Sequence, residues 1–364
     1  MYNVAIIGCG RISHKIAEGI AKNHDRMRLV ALCDPIEEKM FETEKTYNKK
    51  IENELSLLKY KDYKEILDQN KIDIAIISTE SGYHEDIGLY FLENGVNLII
   101  EKPLAMSIEG AQKLVDTAKK NNLKLAASHQ NRFNYPIQLL KKAIKENRLG
   151  KIFNGMARIL WTRDDNYYLQ APWRGTWALD GGTLMNQCIH NIDLINWMMD
   201  DEIDTVYAQT SNYIRNIEAE DYGVILIRYK SGKIATIEGS AIVYPKNLEE
   251  TLTITGEKGT VVIGGMAVNK INTWRVEGDN EAEYLSIDCG DPNSVYGYGH
   301  EALYKDFVDA LDENREPLVN GKAGLEAIKI ILAAYKSQKT GMAIKFDELK
   351  EFSTLDMKNI KLKK

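Results

Sequence analysis

The segment NVAIIGCGRIS, residues 3–13, joins a short apolar run to a glycine-rich turn and the start of a helical pattern. The run at residues 4–7 is apolar on both faces, as is typical of a strand buried in a parallel sheet. Gly8 permits a tight turn, and Gly10 lets a pyrophosphate approach the backbone at the N-terminus of the following helix. Ser13 replaces the third glycine of the full G-x-G-x-x-G pattern, which serves helix–strand packing, so this departure costs little. The segment therefore indicates the opening of a dinucleotide-binding unit.

The rest of the first third repeats the same alternation of apolar runs and helical patterns. Apolar runs lie at residues 4–7, 29–33, 74–77, 98–100 and 125–127. Helical patterns lie between them at residues 12–22, 37–47, 63–68, 85–93 and 108–120. This order predicts an α/β Rossmann-like domain over residues 1–128, with a doubly wound parallel sheet covered on both faces.

The pattern changes after residue 128. Runs rich in Thr, Val, Ile and Tyr lie at residues 152–162, 204–213, 222–230, 233–243, 250–255 and 260–263, with turns at Ser231-Gly232 and at residues 256–259. Helical patterns lie at residues 137–146, 185–199, 301–311 and 323–337. We expect residues 129–364 to form an α+β domain with a large, mostly antiparallel open sheet that binds substrate and supports oligomerisation.

Composition narrows the class of protein. The chain has 364 residues and a formal net charge of −6, with its lysines and arginines scattered, which argues against a nucleic-acid partner. No apolar run approaches the roughly 20 residues that cross a bilayer, and no leader is visible before the first strand. The four cysteines lack C-x-x-C spacing and are typical of thiols in a reducing compartment, so we expect a cytoplasmic protein.

Asp34 bears on the choice of cofactor. It ends the second apolar run, 24 residues after Gly10. A carboxylate there accepts hydrogen bonds from the ribose hydroxyls and repels a 2′-phosphate, which favours NAD over NADP. Two other interpretations stay open at this point, a glycine turn in another doubly wound fold and Asp34 as a capping or surface residue before Pro35.

Two further segments carry groups suited to proton transfer. Glu101-Lys102-Pro103 follows the run at 98–100, and ligands of open parallel sheets bind beyond such strand ends. In a helix over residues 185–199, Asn186 and His190 would be i, i+4 neighbours, and Asp193 would follow one turn after His190. An imidazole suits the removal of a hydroxyl proton near neutral pH. Taken singly, Lys102 could equally be a surface lysine and His190 a satisfied core histidine.

Other histidines add less. His84 follows the Ser78-Thr79 strand end, where it would face either the cofactor or the interior. Because no compact set of His, Cys or carboxylate ligands accompanies His190, we expect no metal.

Together these segments resemble the Gfo/Idh/MocA oxidoreductase family over essentially the whole chain. That resemblance implies a nicotinamide-dependent enzyme acting on sugars or cyclitols, in which Lys102 touches the nicotinamide ribose and the reacting hydroxyl and His190 acts as acid or base. Many members have an aspartate where this chain has Asn186, so the Asp–His dyad is absent and the choice between His190 and Lys102 as proton acceptor stays open. Tetramers are common in the family. The cofactor-binding residues that the resemblance implies are Gly8, Gly10, Arg11, Ile12, Asp34, Ser78, Thr79, His84, Glu101 and Lys102.

A narrower resemblance points to the WlbA/WbpB-type dehydrogenases, which oxidise C3 of UDP-N-acetylglucosaminuronic acid on the way to bacterial surface polysaccharides. It rests on residues 131–133, 161–163, 173–177, 185–187, 244–249 and 256–261. Such a substrate carries a pyrophosphate and a carboxylate, either of which a guanidinium can grip bidentately. The substrate-binding residues that we expect are therefore Arg163, Trp173, Arg174, Asn186 and Asp193. A surface salt bridge for the arginines and interface packing for Trp173 and Trp177 are the plainer alternatives.

Two rival functions remain. One is a related dehydrogenase for UDP-N-acetylglucosamine, inositol or another sugar. The other is a non-catalytic sensor of a nucleotide or sugar, against which the retention of both Lys102 and His190 argues.

Overall fold

The computed structural model describes residues 1–69, 71–290, 297, 299–360 and 362. Contacts divide the chain into two compact units. The first unit contains residues 1–128 and 300–325, and the second contains residues 129–299 and 326–364. None of the helices within the described ranges is long and apolar enough to cross a membrane.

The first unit is built on a six-stranded sheet in the order β3-β2-β1-β4-β5-β6. Its strands, all paired in parallel, are β1 Tyr2–Ile7, β2 Met27–Cys33, β3 Leu58–Tyr60, β4 Ile74–Ile77, β5 Asn97–Ile100 and β6 Leu125–Ala127. The helices between them are α1 Ser13–Lys22, α2 Glu37–Ile51, α3 Ile66–Gln69, α4 His84–Glu93 and α5 Ile108–Lys120. Every residue of β4 is fully buried, as a strand covered on both faces requires. The predicted doubly wound sheet is confirmed.

The second unit contains an eight-stranded sheet in the order β13-β12-β11-β7-β10-β9-β8-β14. Its strands are β7 Ile152–Leu160, β8 Ile203–Ser211, β9 Tyr222–Tyr229, β10 Ile234–Ser240, β11 Glu249–Gly256, β12 Gly259–Gly264, β13 Lys270–Val276 and β14 Ile344–Lys345. Among these pairings only β7 with β10 is parallel, so the prediction of a mostly antiparallel sheet is confirmed. The remaining helices of the chain are α6 Tyr135–Lys145, α7 Asp165–Leu169, α8 Thr183–Asn186, α9 Ile189–Met199, α10 Glu281–Leu285, α11 Gly299–Asp312 and α12 Gly321–Thr340.

The two faces of this sheet differ. Helix α9 packs against β7, β10 and β11 on one face. On the other face, side chains of β8 and β9 point outward, and Tyr207, Val224 and Leu226 remain 37%, 37% and 44% exposed. An apolar face of this kind is typical of an interaction surface.

Residues 300–325 group with the first unit, whereas the sequence analysis placed all of 129–364 in the second domain. The cause is packing between α11 and α1. A Cβ atom added at Gly19 would lie 2.6 Å from the ring of Tyr304, and Arg26 forms ion pairs with Asp309 and Asp312. A helical pattern shows which face is apolar but not which distant helix covers that face.

Candidate active site

The glycine-rich loop lies between β1 and α1. Gly8 has a φ of +92°, and a Cβ atom there would lie 2.6 Å from the backbone of Ser78 and Thr79, so only glycine fits. At Gly10 an added Cβ would meet no atom of the described residues within 4 Å, so the backbone there is open. Ser13 Oγ donates to the carbonyl oxygen of Gly10 at 2.8 Å. This cradle at the N-terminal end of a helix fits the pyrophosphate of a dinucleotide.

Asp34 holds this loop in place. Its two carboxylate oxygens accept the backbone N–H groups of Cys9 and Ile36, each at 2.9 Å, and the residue is 6% exposed. The bond to Ile36 is the local turn that the capping interpretation expected. Each carboxylate oxygen can accept a second hydrogen bond, so this role leaves capacity for ribose hydroxyls. Arg11 is exposed and Ile12 is half-buried on the same loop.

His84 lies in the interior of the first unit rather than on an exposed surface. It is 1% exposed, its Nδ1 lies 2.8 Å from the carbonyl oxygen of Pro103, and its Nε2 lies 3.2 Å from that of Thr79. Burial lowers the pKa of His84, an effect that its two carbonyl contacts partly oppose. The side chain therefore links the loop after β4 to Pro103, which follows Lys102. The ring of His84 is buried rather than exposed to a cofactor. The hydroxyl of Ser78 is also hydrogen-bonded within the protein, since it donates to the carbonyl oxygen of Gly8 at 2.7 Å.

Glu101 and Lys102 follow β5 and differ in exposure. Lys102 is half-buried. Glu101 is 8% exposed, burial raises the pKa of its carboxyl, and its Oε1 lies 3.8 Å from Nε2 of His300. Burial also lowers the pKa of His300 to about 4, so this close pair is not a charged salt bridge at neutral pH. Glu101 thus turns to the interior, although we had expected it to bind the cofactor.

The helix predicted over residues 185–199 is interrupted. Helix α8 ends at Asn186 and α9 begins at Ile189, so Asn186 and His190 are not successive turns of one helix. The amide of Asn186 donates to the carboxylate of Asp180. His190 is half-buried in the first turn of α9. A residue that sequence reasoning missed lies against it, because the rings of His129 and His190 meet edge to face with their centroids 5.7 Å apart. The position of His129, two residues after the apolar run at 125–127, is the signal that could have pointed to it.

Asp193 is not placed to bind substrate as predicted. Arg132 donates to its two carboxylate oxygens at 2.7 and 2.6 Å, and the side chains of Asp193 and Arg132 are 2% and 8% exposed. The guanidinium also lies 4.9 Å from the ring of Trp197. Because His129 precedes this arginine by three residues, the ion pair holds the segment that carries His129 against α9.

We expect Asp193→Asn to lower the free energy of unfolding of the second unit by about 3 kcal/mol or more, because it removes the negative charge that the buried guanidinium of Arg132 contacts. Urea unfolding followed by tryptophan fluorescence measures this, since all five tryptophans belong to the second unit. Asp347→Asn, at an exposed carboxylate of the same unit, is the matched control. Equal stability of the two variants would contradict the prediction.

The predicted arginines are brought together around Tyr167 of α7. The guanidinium of Arg163 lies 5.3 Å from the ring of Tyr167, and that of Arg174 lies 4.4 Å from it. Arg174 also donates to the Tyr167 hydroxyl at 2.7 Å and lies 4.5 Å from the ring of Trp173. Gln187 donates to the same hydroxyl at 3.4 Å, which connects the cluster to the segment three residues before His190. Stacking on aromatic faces holds both cations in place and suits them to bind an anion.

A buried carboxyl supports the start of α8. Oε1 of Glu220 accepts the N–H of Leu184 at 2.8 Å and the hydroxyl of Tyr335 at 3.0 Å, and Glu220 is fully buried. Burial raises the pKa of Glu220 to about 8. A Cβ atom added at Gly182 would collide with this carboxyl, which explains the glycine before α8. Among the described residues, no group of three or more His, Cys, Asp or Glu side chains is arranged to hold a metal ion.

Comparison with known proteins decides the family. Residues 2–129 match the model described as oxidoreductase family, NAD-binding Rossmann fold, and residues 141–346 match that of the C-terminal alpha/beta domain of the same family. The chain belongs to the Gfo/Idh/MocA oxidoreductase family. It is accordingly an NAD-dependent dehydrogenase, as the sequence analysis expected.

Three members of the Gfo/Idh/MocA family illustrate the likeness. The WlbA dehydrogenase of Bordetella pertussis, solved in complex with NADH and UDP-GlcNAcA, is 33% identical, with a TM-score of 0.83, over 94% of this chain and 98% of that one. The WlbA dehydrogenase of Chromobacterium violaceum, solved with the same two ligands, is 32% identical, with a TM-score of 0.84, over 94% and 95% of the two chains. Myo-inositol 2-dehydrogenase of Thermotoga maritima is 23% identical over 95% of this chain and 99% of that protein.

Proposed function

We propose that this dehydrogenase oxidises the C3 hydroxyl of UDP-N-acetylglucosaminuronic acid to a ketone, as a step in making bacterial surface polysaccharides. The observation that carries the proposal is the pair of arginines on Tyr167, connected through Gln187 to the segment of His190. The substrate carries a diphosphate and a carboxylate, which are the anions that stacked guanidinium groups bind well. The two WlbA structures, determined with this sugar nucleotide, support the same substrate class.

The residues of this chain supply binding, orientation and proton transfer. Either Lys102 or His190 accepts the proton of the C3 hydroxyl while the hydrogen on C3 departs with its electron pair. Bound NAD supplies the hydride acceptor. Loss of one proton and one hydride converts the alcohol to a ketone, so the products are the 3-keto sugar nucleotide, NADH and a proton. Arg163, Arg174 and Trp173 position the sugar nucleotide, and positioning of this kind contributes much of the rate.

We assign cofactor binding to the first unit. Gly8 and Gly10 shape the pyrophosphate cradle, Arg11 and Ile12 lie at its exposed rim, and Asp34 faces the ribose while it holds the loop. Behind this surface, Ser78 and His84 contact the backbone of Gly8, Pro103 and Thr79, and Glu101 lies buried beside His300.

We also propose that further copies of this chain associate through the exposed apolar face of the eight-stranded sheet, giving a homotetramer. Burial of Tyr207, Val224 and Leu226 would remove that face from water. The cytoplasm is the proposed location, since all four cysteines are free thiols.

A turnover assay with NAD and four candidate substrates tests the proposed function. The panel contains UDP-N-acetylglucosaminuronic acid, UDP-N-acetylglucosamine, UDP-glucuronic acid and myo-inositol, each with and without 2-oxoglutarate to reveal NADH that stays bound. We expect selective conversion of the acetamido-uronate, seen as NADH formation and as loss of two hydrogens by mass spectrometry. Preference for another substrate would contradict the proposed uronate substrate but would leave the assignment of family and cofactor unchanged. If none of the four compounds is converted although NAD binds, the result would favour a non-catalytic sensor.

A further inference from the structure

The loop between β8 and β9, residues 212–221, carries an arginine to which no role has yet been assigned. The side chain of Arg215 is 12% exposed, and its Nε is buried with no hydrogen-bond partner among the residues that the structure describes. One terminal nitrogen lies 3.5 Å from a carboxylate oxygen of Asp165, and the other lies 3.5 Å from the carbonyl oxygen of Ala241. Both distances are at the long limit for a hydrogen bond, and Asp165 is 72% exposed. The ion pair between Arg215 and Asp165 is therefore weak and leaves the guanidinium able to bind an anion.

The backbone of this loop is rigidly held. The fully buried carboxylate of Asp221 accepts three consecutive N–H groups, from Tyr213, Ile214 and Arg215, at 2.8 to 2.9 Å. The side-chain amide of Asn212 donates to two further carbonyl oxygens of the loop. Arg215 therefore projects from a preorganised backbone, which is what a precise binding site requires.

The same loop is hydrogen-bonded to the segments that carry the other two arginines. The N–H groups of Glu218 and Ala219 donate to the carbonyl oxygen of Gly175 at 3.1 Å each, directly after Arg174. The N–H of Ala241 donates to the carbonyl oxygen of Asp221, and the carbonyl oxygen of Ala241 accepts the N–H of Arg163, each at 2.8 Å. One hydrogen-bonded framework thus places Arg163, Arg174 and Arg215.

Three carboxylates near this framework accept backbone N–H groups. Asp180 accepts the N–H of Gly175 at 2.7 Å, Glu218 accepts that of Trp177 at 3.0 Å, and Asp221 accepts the three described above. The Nε atoms of Arg174 and Arg215 are both buried without an acceptor in the described part of the chain. A buried donor without an acceptor destabilises the protein, and a bound anion would accept its hydrogen bond.

We infer that Arg163, Arg174 and Arg215 form one anion subsite that binds the diphosphate of the nucleotide sugar. The inference rests on the proposed function and goes beyond it, because it adds Arg215 and assigns the cluster to the diphosphate rather than to the uronate carboxylate. A carboxylate carries one charge and is satisfied by a single bidentate guanidinium. A diphosphate diester carries two charges and four non-bridging oxygens, which match three guanidinium groups better.

Calorimetric titration of the full chain, with NAD present, tests the assignment with UDP, UDP-glucose and UDP-glucuronic acid as probes. We expect Arg215→Gln to weaken UDP binding about tenfold or more, as expected on loss of a charged hydrogen-bond donor. Arg215→Lys should restore part of the affinity. Arg158→Gln is the matched control, because Arg158 pairs with Glu238 and Glu249 on the sheet, and UDP affinity should stay within about twofold of the wild type.

The ratio of the UDP-glucose and UDP-glucuronic acid dissociation constants shows whether Arg215 binds the diphosphate or the carboxylate, because only the second ligand carries a carboxylate. If Arg215 binds the diphosphate, Arg215→Gln weakens both ligands equally and the ratio is unchanged. If Arg215→Gln weakens UDP-glucuronic acid but not UDP-glucose, so that the enzyme no longer distinguishes them, Arg215 binds the carboxylate and the assignment is wrong. UDP binding by Arg215→Gln as tight as in the wild type would also overturn the assignment. A wild-type chain that binds NAD but none of the UDP compounds would instead contradict the proposed function.

Discussion

Replacing Lys102 with methionine is expected to lower kcat by about 10³-fold, the middle of the range for loss of a positioned acid or base. Methionine keeps most of the length of the side chain but can neither accept the hydroxyl proton nor donate a hydrogen bond to the reacting oxygen. The pyrophosphate cradle at Gly8 and Gly10 and the carboxylate of Asp34 are untouched, so NAD affinity should stay within about threefold. Steady-state formation of NADH with the preferred sugar nucleotide measures the first effect, and calorimetric titration of NAD measures the second.

Lys113→Met is the matched control for this variant. Lys113 is exposed in α5 and lies 3.4 Å from Glu85, so its replacement removes the same charge from the same unit. Turnover like that of the wild type in Lys102→Met would remove Lys102 from the mechanism. The pH dependence of turnover then tests His190. If the residual rate of Lys102→Met depends on a single ionisation near neutral pH, and this dependence is absent in His190→Gln, then His190 is the proton acceptor.

The cofactor end was predictable because its determinants are local. The turn at Gly8 and the open backbone at Gly10 follow from residue types within one strand–turn–helix unit, and the structure shows both features. Asp34 follows the next strand, and its carboxylate accepts the N–H of Cys9 in the same loop. Prediction was weaker for side chains that follow strand ends. His84 and Glu101 were expected to face the cofactor, but both turn inward, because a side chain's direction at a strand end depends on packing against distant segments.

The substrate end shows a different limit. The helical pattern over residues 185–199 is continuous in apolar character, yet the chain breaks between Asn186 and Ile189. At this break the amide of Asn186 donates to Asp180, and Glu220 holds the start of α8 from a distant part of the chain. The same reasoning failed for Asp193, whose partner Arg132 is 61 residues away in sequence. Periodicity identifies a helical face but not the group across from it.

Arg215 illustrates what sequence could not reveal about binding. It has no motif around it, and its relation to Arg163 and Arg174 exists only because backbone hydrogen bonds join three loops of the second unit. By contrast, Arg163 and Arg174 were predicted because each lies in a segment that resembles one subgroup of the family, whose substrate carries a pyrophosphate and a carboxylate.

Glu220 is expected to make the second unit less stable as pH rises from about 5 to 8. Burial raises the pKa of its carboxyl from 4.5 to about 8, so the folded state binds this proton more tightly than the unfolded state does. The stabilisation is therefore complete below pH 4.5 and is lost progressively until the pH reaches about 8. Within that window one such carboxyl changes the free energy of unfolding by about 1.4 kcal/mol per pH unit.

Glu220→Gln should abolish this dependence, because the amide stays neutral and its oxygen can still accept from Leu184 and Tyr335. Between pH 5 and pH 8 the wild type should lose about 4 kcal/mol more than the variant, measured by urea unfolding with tryptophan fluorescence at one protein concentration. Glu250, whose pKa burial also raises to about 8, titrates in both proteins, so the difference between them isolates Glu220. Glu257→Gln, at an exposed turn, should follow the wild-type pH dependence. Parallel curves for the wild type and Glu220→Gln would mean that the carboxyl ionises in the folded protein without cost, through water that reaches the start of α8.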